Sequence, residues 1–273
     1  MKLKHWMYYL GYRPRPREYT FDLDQFTLEN EGRIDFARWR HPKEMRKEIT
    51  QRAVDELRKY LPPDGVAVDI GAHTGDTTIP MALAAGPGGA VFAVEPNRYV
   101  FKVLLANAAL NRTKTNIFPL MVAATVEDGE YEFQYSDPGF CNGGKHDSAT
   151  ARQHAHFFSL PVTGRNLANL LHRDFPQYVD RIAFVKIDTE GYDRSVANSV
   201  KPILEAHHPY LRSEIFKLVG RDEREGYYND LRELGYRVHK LNDEEDFVGQ
   251  ELARSAMMSW GQFDIFAIHE SRG

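Results

Sequence analysis

The stretch that most constrains this chain runs from Val66 to Asn97, VAVDIGAHTGDTTIPMALAAGPGGAVFAVEPN. Val66 to Ile70 is a short β-branched run of the kind that forms a strand covered on both faces. Gly71 and Gly75 bracket a tight turn, and the residues from Thr74 to Ala85 favour helix until Gly86-Pro87-Gly88-Gly89 stops it. Val91 to Val94 is strand-like again and closes on Glu95-Pro96. A strand, turn, helix and second strand in this order form the first half of a nucleotide-binding α/β fold.

Two features bear on the nucleotide. A dinucleotide fingerprint needs three glycines around the pyrophosphate, and this turn supplies two, spaced G-x-x-x-G. Asp69 ends the first strand, where a carboxylate repels a pyrophosphate and suits a ligand with a cationic portion, such as the ammonium and sulfonium of S-adenosyl-L-methionine. Glu95 ends the second strand, the position from which an acid grips the two hydroxyls of a ribose. The acid pair favours the methyl donor over a nicotinamide dinucleotide. The methionine carboxylate is expected to meet backbone donors at a helix start near Thr74.

Downstream, the pattern predicts helices over residues 42–61, 98–111, 165–172, 195–206 and 222–234. Strands are expected over 116–125, 181–187, 209–216, 236–241 and 263–269, with Tyr131, Phe133 and Tyr135 alternating as in a hairpin. Residues 19–40 read as loop or short strand. This makes one seven-stranded α/β domain over 42–273, preceded by an arm over 1–41. Residues 136–159 break every periodicity and are rich in Gly, Ser, His and Asn, which marks a lid or acceptor loop. Ligands of open α/β sheets bind beyond the carboxyl ends of the strands, which gathers Asp69, Glu95, Ala123, Asp188 and Glu214 along one rim.

Composition narrows the class. With 42% hydrophobic and 27% charged residues the chain is globular, and a net charge of -4 gives no pull toward nucleic acid. The lone Cys141 excludes an internal disulfide framework and fits a reducing cytoplasm. Residues 1–17 mix basic and aromatic side chains without an acid, which suits either packing on the domain or weak peripheral contact with a membrane.

The motifs VAVDIGAHTGDTT, AVEPN and FVKIDTEGYD resemble those of the FkbM-type S-adenosylmethionine-dependent methyltransferases, over roughly residues 64–240. The resemblance implies a Rossmann-like, seven-stranded class I methyltransferase fold with a mostly parallel sheet and helices on both faces. It implies O-methylation of a hydroxyl on a sugar, polysaccharide or polyketide-like product. Asp69, Gly71 and Gly75 match the first motif, with His73 where members often carry Asn. Glu95 and Asn97, flanking Pro96, match the second, and Asp188, Glu190 and Gly191 the third. The cofactor set is thus expected to be Asp69, Gly71, His73, Thr74, Gly75, Glu95, Pro96, Asn97 and Ala123. Asp188 and Glu190 are the candidate catalytic pair, with His146 of the lid as a substrate contact. Three roles stay open for the pair: general base, positioning of acceptor or cofactor, or ligation of a divalent cation with a lid histidine, the least favoured because His154 and His156 are spaced poorly for a metal. Alternatives to O-methylation are N-methylation of an amino-sugar, a non-catalytic cofactor-binding scaffold, and a nicotinamide enzyme. The acceptor, the oligomeric state and the need for a cation are not specified by the sequence.

Overall fold

The computed structural model describes residues 17–137, 140–144 and 158–272. The first sixteen residues of the arm and the lid histidines His146, His154 and His156 lie outside the described residues.

The chain begins with a hairpin, β1 (Phe21–Leu28) and β2 (Gly32–Trp39), paired antiparallel, where the sequence offered only loop or short strand. Helix α1 (Gln51–Arg58) follows, then β3 (Val66–Ile70), α2 (Thr78–Ala85), β4 (Ala90–Val94), α3 (Arg98–Leu110) and β5 (Ile117–Leu120). Strands β6 (Ala123–Ala124), β7 (Gly129–Asp137), β8 (Phe140–Gly144) and β9 (Phe158–Arg165) then form a separate small sheet in the order β6-β9-β7-β8. The remainder is α4 (Leu167–Asp174), α5 (Pro176–Val179), β10 (Ile182–Ile187), α6 (Asp193–Ser199), α7 (Lys201–His207), β11 (Tyr210–Ile215), α8 (Arg221–Glu233), β12 (Tyr236–Lys240) and β13 (Phe263–His269).

The main sheet has seven strands in the order β12-β13-β11-β10-β3-β4-β5. All neighbours are parallel except β13, which runs antiparallel to β11 and β12. Because side chains alternate along a strand, β3 feeds two cores. Val66, Val68 and Ile70 pack with Leu171, Leu204 and Leu231 of the helices on one face. Ala67 packs on the other with Val54, Ile79, Phe266 and the hairpin residues Ile34 and Phe36. The hairpin is therefore built into the core. The amides of Asn107 on α3 and of Asn111 at its C-cap bond the backbone of β2 at Ala37 and Asp35, supplying the partners that an adjoining strand would otherwise give.

Four expected elements differ. The helix over 42–61 is confined to Gln51–Arg58, because Thr50 takes the N-cap position and its hydroxyl accepts from Ala53 N. Met45, at an apolar-spaced position of the expected helix, is 77% exposed. The strand over 116–125 divides between two sheets, and Pro119 is tolerated because β5 is the sheet edge. The helix over 195–206 breaks at Val200, with Pro202 in the first turn of α7. The helix expected from Thr74 begins at Thr78, one full turn later.

Candidate active site

Beyond the carboxyl ends of β3, β4 and β10 lies a cavity of about 1430 Å³. Its lining includes Gly71, His73, Glu95, Pro96, Ala123, Asp188 and Glu190 from the expected set. The position is the topological switch point, where β10 and β4 leave β3 in opposite directions across the sheet.

The turn after β3 is shaped by its glycines. Gly71 has φ of 80°, and a Cβ there would lie 1.9 Å from the Asp188 carbonyl oxygen, so only glycine lets the first and third motifs touch. Its N–H and that of Ala72 both donate to Val94 O, and Gly75 N donates to Ala72 O.

Asp69 takes a different place from the one expected. It is fully buried and is not among the cavity-lining residues. One oxygen accepts from the hydroxyls of Thr77 (2.9 Å) and Thr78 (2.6 Å), and the other lies 3.3 Å from Lys186 Nζ. A carboxylate this deep needs a cation of its own, and Lys186 provides it. Asp69 therefore fastens the turn to the following helix, off the cavity lining where the sequence placed it. Thr74 is likewise buried away from the cavity, its carbonyl held by Asn107 Nδ2 at 2.7 Å. Asn97 is a buried N-cap for α3, accepting from Tyr99 N.

Glu95 does face the cavity. Its two oxygens accept from the backbone N–H groups of His73 (3.1 Å) and Asn97 (2.7 Å), which orients the carboxyl, and burial pushes its pKa up to about 7. Burial lowers the His73 imidazole to about 4, so that ring is neutral.

The third motif makes a left-handed turn, with φ of 55° at Glu190 and 103° at Gly191. Asp193 holds it: its carboxylate accepts from Thr189 N (3.3 Å) and Gly191 N (3.1 Å). This turn cancels the shared face that Asp188 and Glu190 would have on a continuing strand. Asp188 stays 46% exposed, 3.4 Å from Lys186 Nζ. Glu190 is pushed up to about 7 by burial and by the Asp188 charge. Asp193 is also raised to about 7, and Glu214, at the end of β11, to about 9 by burial and the neighbouring Asp188, Glu190 and Asp193.

Sequence reasoning missed Asp193 and Lys47, and the contact of Lys186 with Asp69. Asp193 was visible in principle, as an acid two residues after a glycine turn. The span of Lys186 between both motif acids follows from parallel register, Lys186 opposite Asp69. Lys47 reaches the cavity from an irregular segment that carries no motif. Tyr131, Phe133 and Tyr135 of β7 complete an aromatic side of the cavity. Among the described residues no group of three or more His, Cys, Asp or Glu is arranged to hold a metal ion, and no helix is long and apolar enough to cross a membrane.

A seven-stranded sheet of this order, with one antiparallel strand and an acid-ended cavity at its switch point, defines the Rossmann-like class, and the family match makes the chain an S-adenosylmethionine-dependent methyltransferase. The chain belongs to the FkbM methyltransferase family, whose profile, described as the methyltransferase FkbM domain, matches residues 69–238. No curated protein matches the chain. Among solved structures it is similar to an FkbM methyltransferase from Methylobacillus flagellatus KT, at 13% identity and a TM-score of 0.42, covering 78% of this chain and 50% of that one. It is also similar to an S-adenosylmethionine-dependent O-methyltransferase from Thermotoga maritima (12% identity, TM-score 0.42, covering 92% and 78%). A precorrin-6y C5,15-methyltransferase from Geobacter metallireducens GS-15 is a third (16% identity, TM-score 0.41, covering 80% and 88%).

Proposed function

We propose that this methyltransferase acts on a hydroxyl oxygen of a sugar, polysaccharide or polyketide-like acceptor, with Glu190 as the base and Asp188 beside it as the positioning carboxylate. The observation that carries the reading is Glu190 on the cavity wall, its carboxyl raised to about 7 by burial and Asp188. A carboxyl titrating there is ionised in a useful fraction near neutrality and still basic enough to take a proton from an alcohol as its oxygen attacks. Two carboxylates lining the same cavity also accept hydrogen bonds from a polyhydroxylated ligand.

The residues present suit S-adenosylmethionine. Glu95, already oriented by two backbone donors, keeps lone pairs for the ribose hydroxyls, and Pro96 and Ala123 give the adenine an apolar edge. When bound, the cofactor supplies a methyl group on a sulfonium, which the attacking oxygen takes as the thioether leaves. The protein's share is then to hold the oxygen in line and receive its proton. Positioning alone is worth roughly 7–11 kcal/mol of barrier.

Incubation with methyl-labelled S-adenosylmethionine and a panel of neutral sugars, polyols and amino-sugars tests the reading. Label in an alkali-stable methyl ether is expected. Transfer confined to the nitrogen of amino-sugars replaces it with N-methylation. Glu190→Gln and Asp188→Asn should cut turnover by about 100-fold or more while S-adenosylhomocysteine still binds.

A further inference from the structure

We propose that Lys47 binds the carboxylate of the cofactor's methionine portion, an assignment that rests on the cofactor reading of the cavity given above. Backbone donors at the glycine turn are the obvious alternative, and the fold has already spent most of them. The N–H groups of Gly71 and Ala72 go to Val94 O, that of Gly75 to Ala72 O, and that of His73 to Glu95 Oε2. The helix itself starts only at Thr78, and the Thr77 and Thr78 hydroxyls are turned to Asp69. A neutral His73 ring brings no charge.

Lys47 is the one lysine or arginine among the described residues that line the cavity. Its Nζ lies 2.8 Å from Asp76 Oδ2, on the same turn, which fastens an otherwise irregular segment beside Gly71 and His73. That segment is pinned immediately afterwards by buried Ile49 and the capping Thr50. An ammonium has three donors and the ion pair uses one, so the group stays able to take a carboxylate. Burial works against its charge, yet Asp76 and Glu44 together carry it above the ordinary lysine value, so it remains a cation throughout the neutral range.

Calorimetry on the full chain with two probes tests this. S-adenosylhomocysteine carries the carboxylate and 5′-methylthioadenosine lacks it. Lys47→Met is expected to weaken S-adenosylhomocysteine by about 10- to 100-fold, the worth of a hydrogen bond to a charged group, and to leave 5′-methylthioadenosine within about 2-fold. Lys47→Arg, which keeps the cation and the pair with Asp76, is expected to retain S-adenosylhomocysteine within about 5-fold. Unchanged S-adenosylhomocysteine affinity in Lys47→Met overturns the assignment, as does an equal loss of both probes or a full loss in Lys47→Arg. Wild-type protein that binds neither probe overturns the cofactor reading instead, and the assignment with it.

Discussion

The α-carbon of Gly71 packs so closely against Asp188 that a methyl group on it would sit 1.9 Å from the Asp188 carbonyl oxygen. Two motifs more than a hundred residues apart thus meet backbone to backbone, and Asp188 N donates to Ile70 O at 3.0 Å directly beneath. The cofactor turn and the carboxylate turn form a single rigid unit. Gly71→Ala is predicted to be costly for two additive reasons: the left-handed backbone at φ of 80° and the overlap with Asp188. A loss of at least about 2 kcal/mol in urea unfolding is expected, together with weaker S-adenosylhomocysteine binding. A variant with wild-type stability would mean that the two turns separate freely.

Lys186 joins the same unit electrostatically. It is 3% exposed and lies between Asp69 at 3.3 Å and Asp188 at 3.4 Å. Lys186→Met leaves Asp69 as a buried charge with only hydroxyl partners, and should cost about 3–5 kcal/mol. Asp69→Asn in the same chain removes the stranded charge, so the double variant is predicted to be more stable than Lys186→Met alone. Urea midpoints of the four proteins form the cycle. A double variant no better than the lysine variant excludes the pairing as the source of the loss.

Much of this arrangement could be read from the chain beforehand, and the exceptions share a cause. Strand–turn–helix periodicity located β3, β4, β10 and β11, because the buried strands of a parallel sheet are continuous apolar runs. It also found the cavity rim through Glu95, Asp188 and Glu190. Asp69 was placed on the rim because a strand-end acid looks the same in sequence whether it faces a cavity or a buried lysine. Only the β3–β10 register, which puts Lys186 opposite Asp69, separates the two. The helix expected over residues 42–61 was overextended because apolar spacing continues upstream of the Thr50 cap. That error hid Lys47, whose place in the cavity depends on the segment before the cap being irregular.

Asn107 supports the cofactor turn from behind. Its amide donates to Thr74 O (2.7 Å) and Ala37 O (3.0 Å) and accepts from Ala37 N (2.6 Å), all in a site 1% exposed. Replacement by leucine leaves three buried backbone groups unpaired. Each is worth about 1–3 kcal/mol, so a loss of about 3 kcal/mol or more is predicted in urea unfolding. Protease cleavage within the β1–β2 hairpin should rise in parallel. Unchanged cleavage would show that the apolar contacts of Ile34 and Phe36 hold the hairpin without the amide.

Glu95 carries an opposing pair of effects. Its pKa rises from 4.5 to about 7 in the folded chain because of burial. The folded state therefore binds the proton more tightly than the unfolded one. The stability this confers is complete below about 4.5 and is lost as pH climbs through 7. Glu95→Gln does not titrate, so its stability relative to wild type is predicted to improve between pH 4.5 and 7 by up to about 3 kcal/mol. The same change removes the ionised acceptor for ribose hydroxyls and should weaken S-adenosylhomocysteine by about 10-fold or more. Urea unfolding at several pH values reads the first effect and calorimetry the second. A pH-independent stability difference would place the Glu95 titration outside this window.

Glu190 gives the corresponding signature in turnover. The base form is the ionised carboxylate, and burial together with Asp188 lifts the pKa to about 7. Turnover is therefore predicted to rise with pH through an inflection near 7 and to level off above it. Asp188→Asn removes the neighbouring charge that is part of the elevation, so the inflection should move to lower pH even as the rate falls. Glu190→Gln should abolish the inflection and leave a low, flat profile. Asp193 and Glu214, raised to about 7 and about 9, also feel the Asp188 charge. Their neutral variants, Asp193→Asn and Glu214→Gln, are therefore needed beside Glu190→Gln. An inflection that persists in Glu190→Gln but disappears in one of these would transfer the base role to that carboxyl.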